Sequence, residues 1–218
     1  QKKLVYMCGG DVPPVILPNY SGIKVLNVSV SKSNKSKNEI VIAPQVEDNF
    51  DFFLTEPKLS IGFVGQKMHN RQTYLDYLSK CSIETNFIIR DAYIHKLSQQ
   101  HKQDFENNMS NNLFTFCYRG RGTFSVRFYE TIMRGRIPIV ITTDNVFPYE
   151  DKIDYSRIGL FIEEESLRKK MNLESLILDY YHQKSDQELI EIQKYNRYIY
   201  ETYFRKDIFY EKLFEYLL

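Results

Sequence analysis

Tryptophan is absent from the 218 residues, and cysteine occurs only at Cys8, Cys81 and Cys117. Three cysteines with no CxxC pair make no disulfide framework, so reduced thiols are expected. No apolar run approaches the roughly 18 to 20 residues that a membrane span needs, and no signal peptide is visible. Neither charge sign is in excess: 29 basic residues against 28 acidic ones leave a net charge of +1. That balance argues against a nucleic-acid-binding face and for a compact basic pocket. There is no D-x-D, the spacing that presents two carboxylates to a metal on a diphosphate. Repeats, heptads and low-complexity tails are also missing. With these exclusions the reading is a cytoplasmic globular protein, in the host cytoplasm were the chain viral. The chain opens on Gln1 rather than Met, which suggests that a true N-terminus lies upstream. Sequons at Asn19, Asn27, Asn34 and Asn108 are expected by chance in an Asn- and Ser-rich chain.

What is present is aromatic: 17 tyrosines and 15 phenylalanines. Most will pack in the core and some could stack on sugars. The stretch LFTFCYRGRGTFSVRFYETIMRGRIPIVIT, residues 113–142, organises the rest. An apolar run from Leu113 to Cys117 reads as a buried strand. The loop Arg119-Gly120-Arg121-Gly122 follows, then a helix from about Ser125 to Arg134. Gly135 stands where a helix end wants positive φ, and Ile137 to Ile141 reads as a second strand. This is a βαβ unit, and its crossover places the arginine loop at the carboxyl end of a parallel sheet, where open α/β sheets bind ligands.

The loop suits phosphate. Gly120 and Gly122 let the backbone approach a ligand, Ser125 can cap the helix, and the helix N-terminus offers N–H groups and partial positive charge. Arg119, Arg121 and Arg127 add three guanidinium groups, each able to grip phosphate through paired hydrogen bonds. Arg127 and Glu130 share a helix face, so Glu130 could accept from ribose hydroxyls. An ordinary ion pair between the two is the other reading.

Residues 117–150, CYRGRGTFSVRFYETIMRGRIPIVITTDNVFPYE, resemble the central motif of exostosin-type glycosyltransferases, with the short bacterial and viral members nearest in pattern. Weaker similarity runs from about Lys58 to Tyr203. The resemblance implies a GT-B fold, in which two Rossmann-like α/β domains face each other and the C-terminal one holds a nucleotide sugar. It also implies inverting transfer, with no obligatory metal and no cofactor beyond the donor substrate. On its pattern Arg127 and Glu130 fall on the donor-binding helix, and Arg119 to Gly122 on the phosphate-side loop.

Around this unit the chain divides into residues 1–56, 57–185 and 186–218. The first part has strand-like runs at Leu4–Cys8, Ile23–Val30 and Glu39–Ala43 with no convincing helix between them. It reads as a small or truncated acceptor-side domain. Asp11, in a Gly-Gly-Asp-Val-Pro-Pro turn, is the candidate base for the acceptor hydroxyl, although turns favour Asp for local reasons. Glu47 and Asp48 are runners-up.

In the second part Leu59–Val64 is a strand ending at Gly65, and Gly65 and Arg71 resemble the family's donor-cleft glycine and arginine. A solvated first-turn arginine is the alternative for Arg71. Arg90 closes the strand Asn86–Ile89 at the same sheet edge, where a ligand or an acidic neighbour could take it. Asp144 follows the strand Ile137–Ile141 and could hold a base, a sugar or a backbone N–H. Residues 145–149 would form a loop over the nucleotide. Glu163-Glu164-Glu165 reads as a solvated acidic turn that starts a helix, not as a metal site. The last part is helical. Ser185-Asp186-Gln187-Glu188 has capping-box spacing, and the tail is long enough to return to the first domain.

The expected function is therefore transfer of a sugar from a nucleotide sugar, probably UDP-linked in keeping with the resemblance, to a glycan hydroxyl. A GDP-sugar enzyme of fucosyl type, and an inactive module that binds nucleotide sugar or glycan, are the alternatives.

Overall fold

The computed structural model describes residues 4–8, 23–48, 52–68, 70–91 and 98–217. Two parallel sheets form from these segments. The smaller has the order β1-β2-β3 and is built from Leu4–Cys8, Ile23–Asn27 and Glu39–Val41. The larger contains β4 (Ser60–Gln66), β5 (Glu84–Arg90), β6 (Phe114–Tyr118), β7 (Ile137–Thr142) and β8 (Leu160–Glu163), in the order β5-β4-β6-β7-β8. Parallel neighbours need crossovers, and helices supply them. These are α1 (Arg71–Leu78), α2 (Gln99–Asn111) and α3 (Val126–Met133).

Strand periodicity explains how the larger sheet is covered. Phe114 and Phe116, with Ile137, Ile139 and Ile141, face one side and join Tyr74, Leu75 and Leu78 of α1. Leu173 and Ile177, from α5 (Leu173–His182), complete that layer. Cys117 and Val140 face the other side and meet Phe128, Tyr129, Ile132 and Met133 of α3. Alternate residues thus bury both faces, as a parallel sheet requires. Gly62 lets α2 approach closely, because a Cβ there would lie 2.5 Å from Oδ1 of Asn108.

Two helix ends follow their sequence signals closely. Gly135 has φ +64° after α3, and a Cβ there would also strike the Phe52 ring at 2.4 Å. Ser185 accepts from the backbone N–H of Glu188, while the Glu188 side chain accepts from that of Ser185. This capping box starts α6 (Asp186–Ile199). A π-helical turn, Tyr200–Phe204, leads into α7 (Lys206–Leu217). There Phe209 and Leu213 pack on Leu26, Val28 and Ile42 behind the smaller sheet. Among the described residues, no helix is long and apolar enough to cross a membrane.

Ser125 departs from its expected role. It is the N-cap residue of α3 with extended backbone, yet its side chain makes no cap hydrogen bond. The Glu163-Glu164-Glu165 triplet also departs. Glu164 does open a helix, α4 (Glu164–Lys169), and its two neighbours are exposed, but Glu164 itself is buried.

Candidate functional site

The carboxyl ends of β4 and β6 bring the arginines together. Arg71, in the first turn of α1, is buried rather than solvated. Its Nη1 donates to the Gln66 carbonyl at 2.7 Å, and its Nη2 to the carbonyls of Tyr118 at 3.1 Å and Arg119 at 2.9 Å. One guanidinium thus ties the β4 loop to the β6 loop. Burial, and then the neighbouring Arg127, pull its pKa down to about 10, which still leaves it protonated at neutral pH.

Arg127 lies one turn into this arrangement from α3. Its Nη2 donates to the Val64 carbonyl at 2.5 Å, Nη1 meets Glu130 at 2.9 Å, and the guanidinium stacks on Phe105 of α2 at 4.5 Å. Both members of the pair are about three-quarters buried, with side chains 20% and 25% exposed. Arg127 and Glu130 are therefore an ion pair at a sheet edge rather than a loose surface pair.

Arg119 is half-buried, and its Nε has no hydrogen-bond partner among the described residues. It lines a small pocket with Thr123, Ser125, Asn145 and Phe147. Its volume is about 10 Å³, room for about one water, and it opens to solvent. Gly120 donates its N–H to the Phe124 carbonyl at 3.1 Å and closes the loop. A Cβ on Gly120 would meet nothing within 4 Å, so packing does not demand glycine there. Arg121 is exposed. At Gly65 a Cβ would meet the Phe63 ring at 2.9 Å, so core packing already favours a small residue.

Two expected residues are engaged elsewhere. Arg90 donates to the His101 carbonyl at 3.1 Å and lies 3.8 Å from Asp104, so it fastens α2 beside the sheet. Asp144 turns toward the smaller sheet: its carboxylate accepts from the backbone N–H and the hydroxyl of Ser33. Its carbonyl accepts from Lys32 N–H at 2.7 Å. Those hydrogen bonds hold the Asp144 carboxyl below the usual range. The segment after it packs on the smaller sheet too, with Asn145 bridged to Ser31 and Val146 against Val30 and Val41. Asp11 lies outside the described residues. Of the other base candidates, Asp48 is bound by Arg197 through two hydrogen bonds of 3.0 and 3.2 Å. Glu47 lines an open cavity with Asp48, Tyr200 and Lys206.

Sequence reasoning missed Glu164. Its Oε1 accepts from the Tyr118 hydroxyl at 2.6 Å, Asn70 Nδ2 at 2.9 Å and the Tyr74 hydroxyl at 3.2 Å. Oε2 accepts from Arg168 at 2.8 Å. Burial alone would raise its pKa, but these donors outweigh that and hold it low. Burial and the same carboxylate push Tyr118 up to about 12. A signal was available: Glu164 is three residues before Leu167, the buried position of α4, and so shares its face.

The family model for the Exostosin GT47 domain matches residues 55–177. The chain belongs to the exostosin GT47 family. Within it, the chain is similar to probable glucuronosyltransferase 47 A of Physcomitrium patens, 30% identical over 89 residues. That alignment spans 41% of this chain and 19% of the relative. Probable beta-1,4-xylosyltransferase IRX10L of Arabidopsis thaliana is 28% identical over 89 residues, which are 41% of this chain and 21% of the relative. The chain thus spans about a fifth of the length of these curated exostosin-family relatives.

Among solved structures, a mutant of S. aureus TarM in complex with Fondaparinux, alpha-GlcNAc-glycerol and UDP superposes with a TM-score of 0.53 at 13% identity. The match covers 88% of this chain and 43% of TarM, and it is a likeness of fold. The exostosin chain is thereby α/β with a GT-B type fold, as anticipated.

Proposed function

We propose that this exostosin-family protein is an inverting glycosyltransferase that moves a sugar from a UDP-sugar to a glycan hydroxyl. The observation that carries the reading is the meeting of Arg71 and Arg127 at the ends of β4 and β6, with the half-buried Arg119 lining a pocket beside Ser125 at the start of α3. Fixed positive charge at that edge is what a departing diphosphate needs. Arg119 and the unconsumed N–H groups of α3 would meet its oxygens, while Arg71 holds both loops in place. Glu130, oriented by Arg127, would accept from ribose hydroxyls.

In the reaction the acceptor hydroxyl attacks the anomeric carbon from the face opposite the nucleotide. The bond from that carbon to the diphosphate oxygen breaks, the diphosphate takes the electron pair, and a base takes the hydroxyl proton. Asp11 is the proposed base. We assign the neutralising charge to arginine and the helix end, so transfer is expected to persist with a chelator present. The UDP in the TarM complex and the glucuronosyl- and xylosyltransferase names of the sequence relatives favour this donor class.

Calorimetric titration with UDP tests the site. Arg127→Ala and Glu130→Ala are each expected to cost roughly 1.5–3 kcal/mol of binding while the protein stays folded, since each removes a charged hydrogen-bonding group. Unchanged affinity in both would remove the assignment. Asp11→Asn should leave UDP affinity alone and slow transfer on the order of 10²- to 10⁴-fold. Transfer at the unmodified rate would exclude Asp11 as the base.

A further inference from the structure

The buried carboxylate at the end of β8 is joined through Asn70, Tyr74 and Tyr118 to the chain beside Arg71 and beside Arg119. Asn70 and Tyr118, two of its donors, are the residues immediately before Arg71 and Arg119. Arg71 in turn binds the carbonyls of Tyr118 and Arg119. The chain pairs 70–71 and 118–119 are therefore fastened twice, once through side chains to Glu164 and once through backbone to Arg71. The result is a closed ring: Glu164 to Asn70, along the chain to Arg71, across to the Tyr118 carbonyl, and from the Tyr118 hydroxyl back to Glu164. Tyr74 adds the first turns of α1 to the ring, and Arg168 anchors the carboxylate from the solvent side.

Magnitudes favour a role in positioning. A carboxylate that accepts three hydrogen bonds on one oxygen and a guanidinium on the other is held in a single orientation. Such an acceptor fixes its donors as well, because a buried hydroxyl or amide left unpaired is strongly disfavoured. A shift of the β6 end by one ångström would break the 2.6 Å bond from Tyr118 and the bonds from Arg71 together. Sites that stabilise charge depend on this kind of fixed support.

We infer that Glu164 is a positioning residue that sets the place of Arg119 and of the 119–124 loop through Tyr118 and Asn70. The inference rests on the donor-site reading above for its functional meaning, although the ring itself stands on geometry alone.

Hydrogen exchange in the ligand-free protein separates the two. The bonded amides of Gly120 and Thr123 report the loop, and the amides of β7 serve as an internal reference. Glu164→Leu removes the acceptor, and Tyr118→Phe removes one donor while leaving the ring packing, so it guards against a variant that fails to fold. Both are expected to speed loop exchange at least tenfold relative to β7. Glu164→Gln, which keeps an oxygen for the three donors, should restore most of the protection. Glu165→Gln, next along the chain and exposed, should change nothing. Loop exchange that stays at the unmodified level, or that rises only in step with β7, would overturn the proposal.

UDP titration of the same set then reads the function. A tenfold or greater loss in Glu164→Leu and Tyr118→Phe supports positioning of the donor site, whereas UDP bound as tightly as by the unmodified protein contradicts it. Failure of the unmodified protein to bind UDP would sink the donor reading, with the ring still judged by exchange.

Discussion

The carboxyl edge of the larger sheet has two halves that are built differently. Over β7 the groups at the edge satisfy one another across the two sheets. Asp144 takes Lys32 and Ser33, and Val146 N–H donates to the Val30 carbonyl at 3.1 Å. Over β4 and β6 the partners are unequal. Two guanidinium groups, Arg71 and Arg127, meet backbone carbonyls; Arg127 also meets Glu130, Arg119 Nε has no partner among the described residues, and the nearby Glu164 is taken up by Arg168. Where charge and hydrogen bonds are balanced, the edge is a seam between sheets. Where positive charge is left over, the edge is suited to an anion.

The contrast is open to attack at both ends, and the largest effect is expected at Arg71. Arg71→Met removes the donors of three carbonyls and should cost about 3 kcal/mol of stability in denaturant unfolding, together with UDP binding. A loss within 0.5 kcal/mol, the ordinary range for surface changes, would mean that the bracket contributes nothing.

A smaller effect is expected with acid. Glu164 titrates below the ordinary carboxylate in the folded chain, so its contribution is complete above the unfolded value of about 4.3. That contribution disappears as pH falls through the lower, folded value. Glu164→Gln should flatten this part of the stability curve, and unfolding midpoints measured from pH 6 to pH 3 would show it. Parallel curves for the two proteins would assign the acid sensitivity elsewhere.

The smallest effect belongs to the seam. Ser33→Ala deletes one exposed hydroxyl bond to Asp144 and should cost at most about 1 kcal/mol with UDP affinity unchanged. If UDP binding weakened in Ser33→Ala, the two halves would not be functionally distinct.

How far the sequence carried the reading depends on range. The βαβ unit was legible because its signals are local: near-continuous apolar runs set β6 and β7, and Gly135 marks the end of α3 by the positive φ it adopts. Arg127 and Glu130 were legible as a pair because helical spacing alone brings them together. Ser125 was over-read, since a residue type that often caps, even with the extended backbone usual at that position, need not bond the helix N–H groups. Arg71 was read as a surface or ligand arginine because its true partners are main-chain oxygens 47 and 48 residues away at Tyr118 and Arg119. Nothing in side-chain identity announces a carbonyl acceptor. Asp144 shows the same limit, with Ser33 separated from it by 111 residues. Glu164 lies between these cases: its buried face was encoded in the spacing to Leu167, but two flanking glutamates disguised it as one of a solvated set.

The central claim is that this edge holds a diphosphate, and comparing UDP with uridine by calorimetric titration of the unmodified protein tests it most directly. UDP should bind with clear heat while uridine, which lacks both phosphates, should bind at least a hundredfold more weakly, a difference of about 2.7 kcal/mol. Equal affinity for the two, or no binding of UDP, would contradict the account.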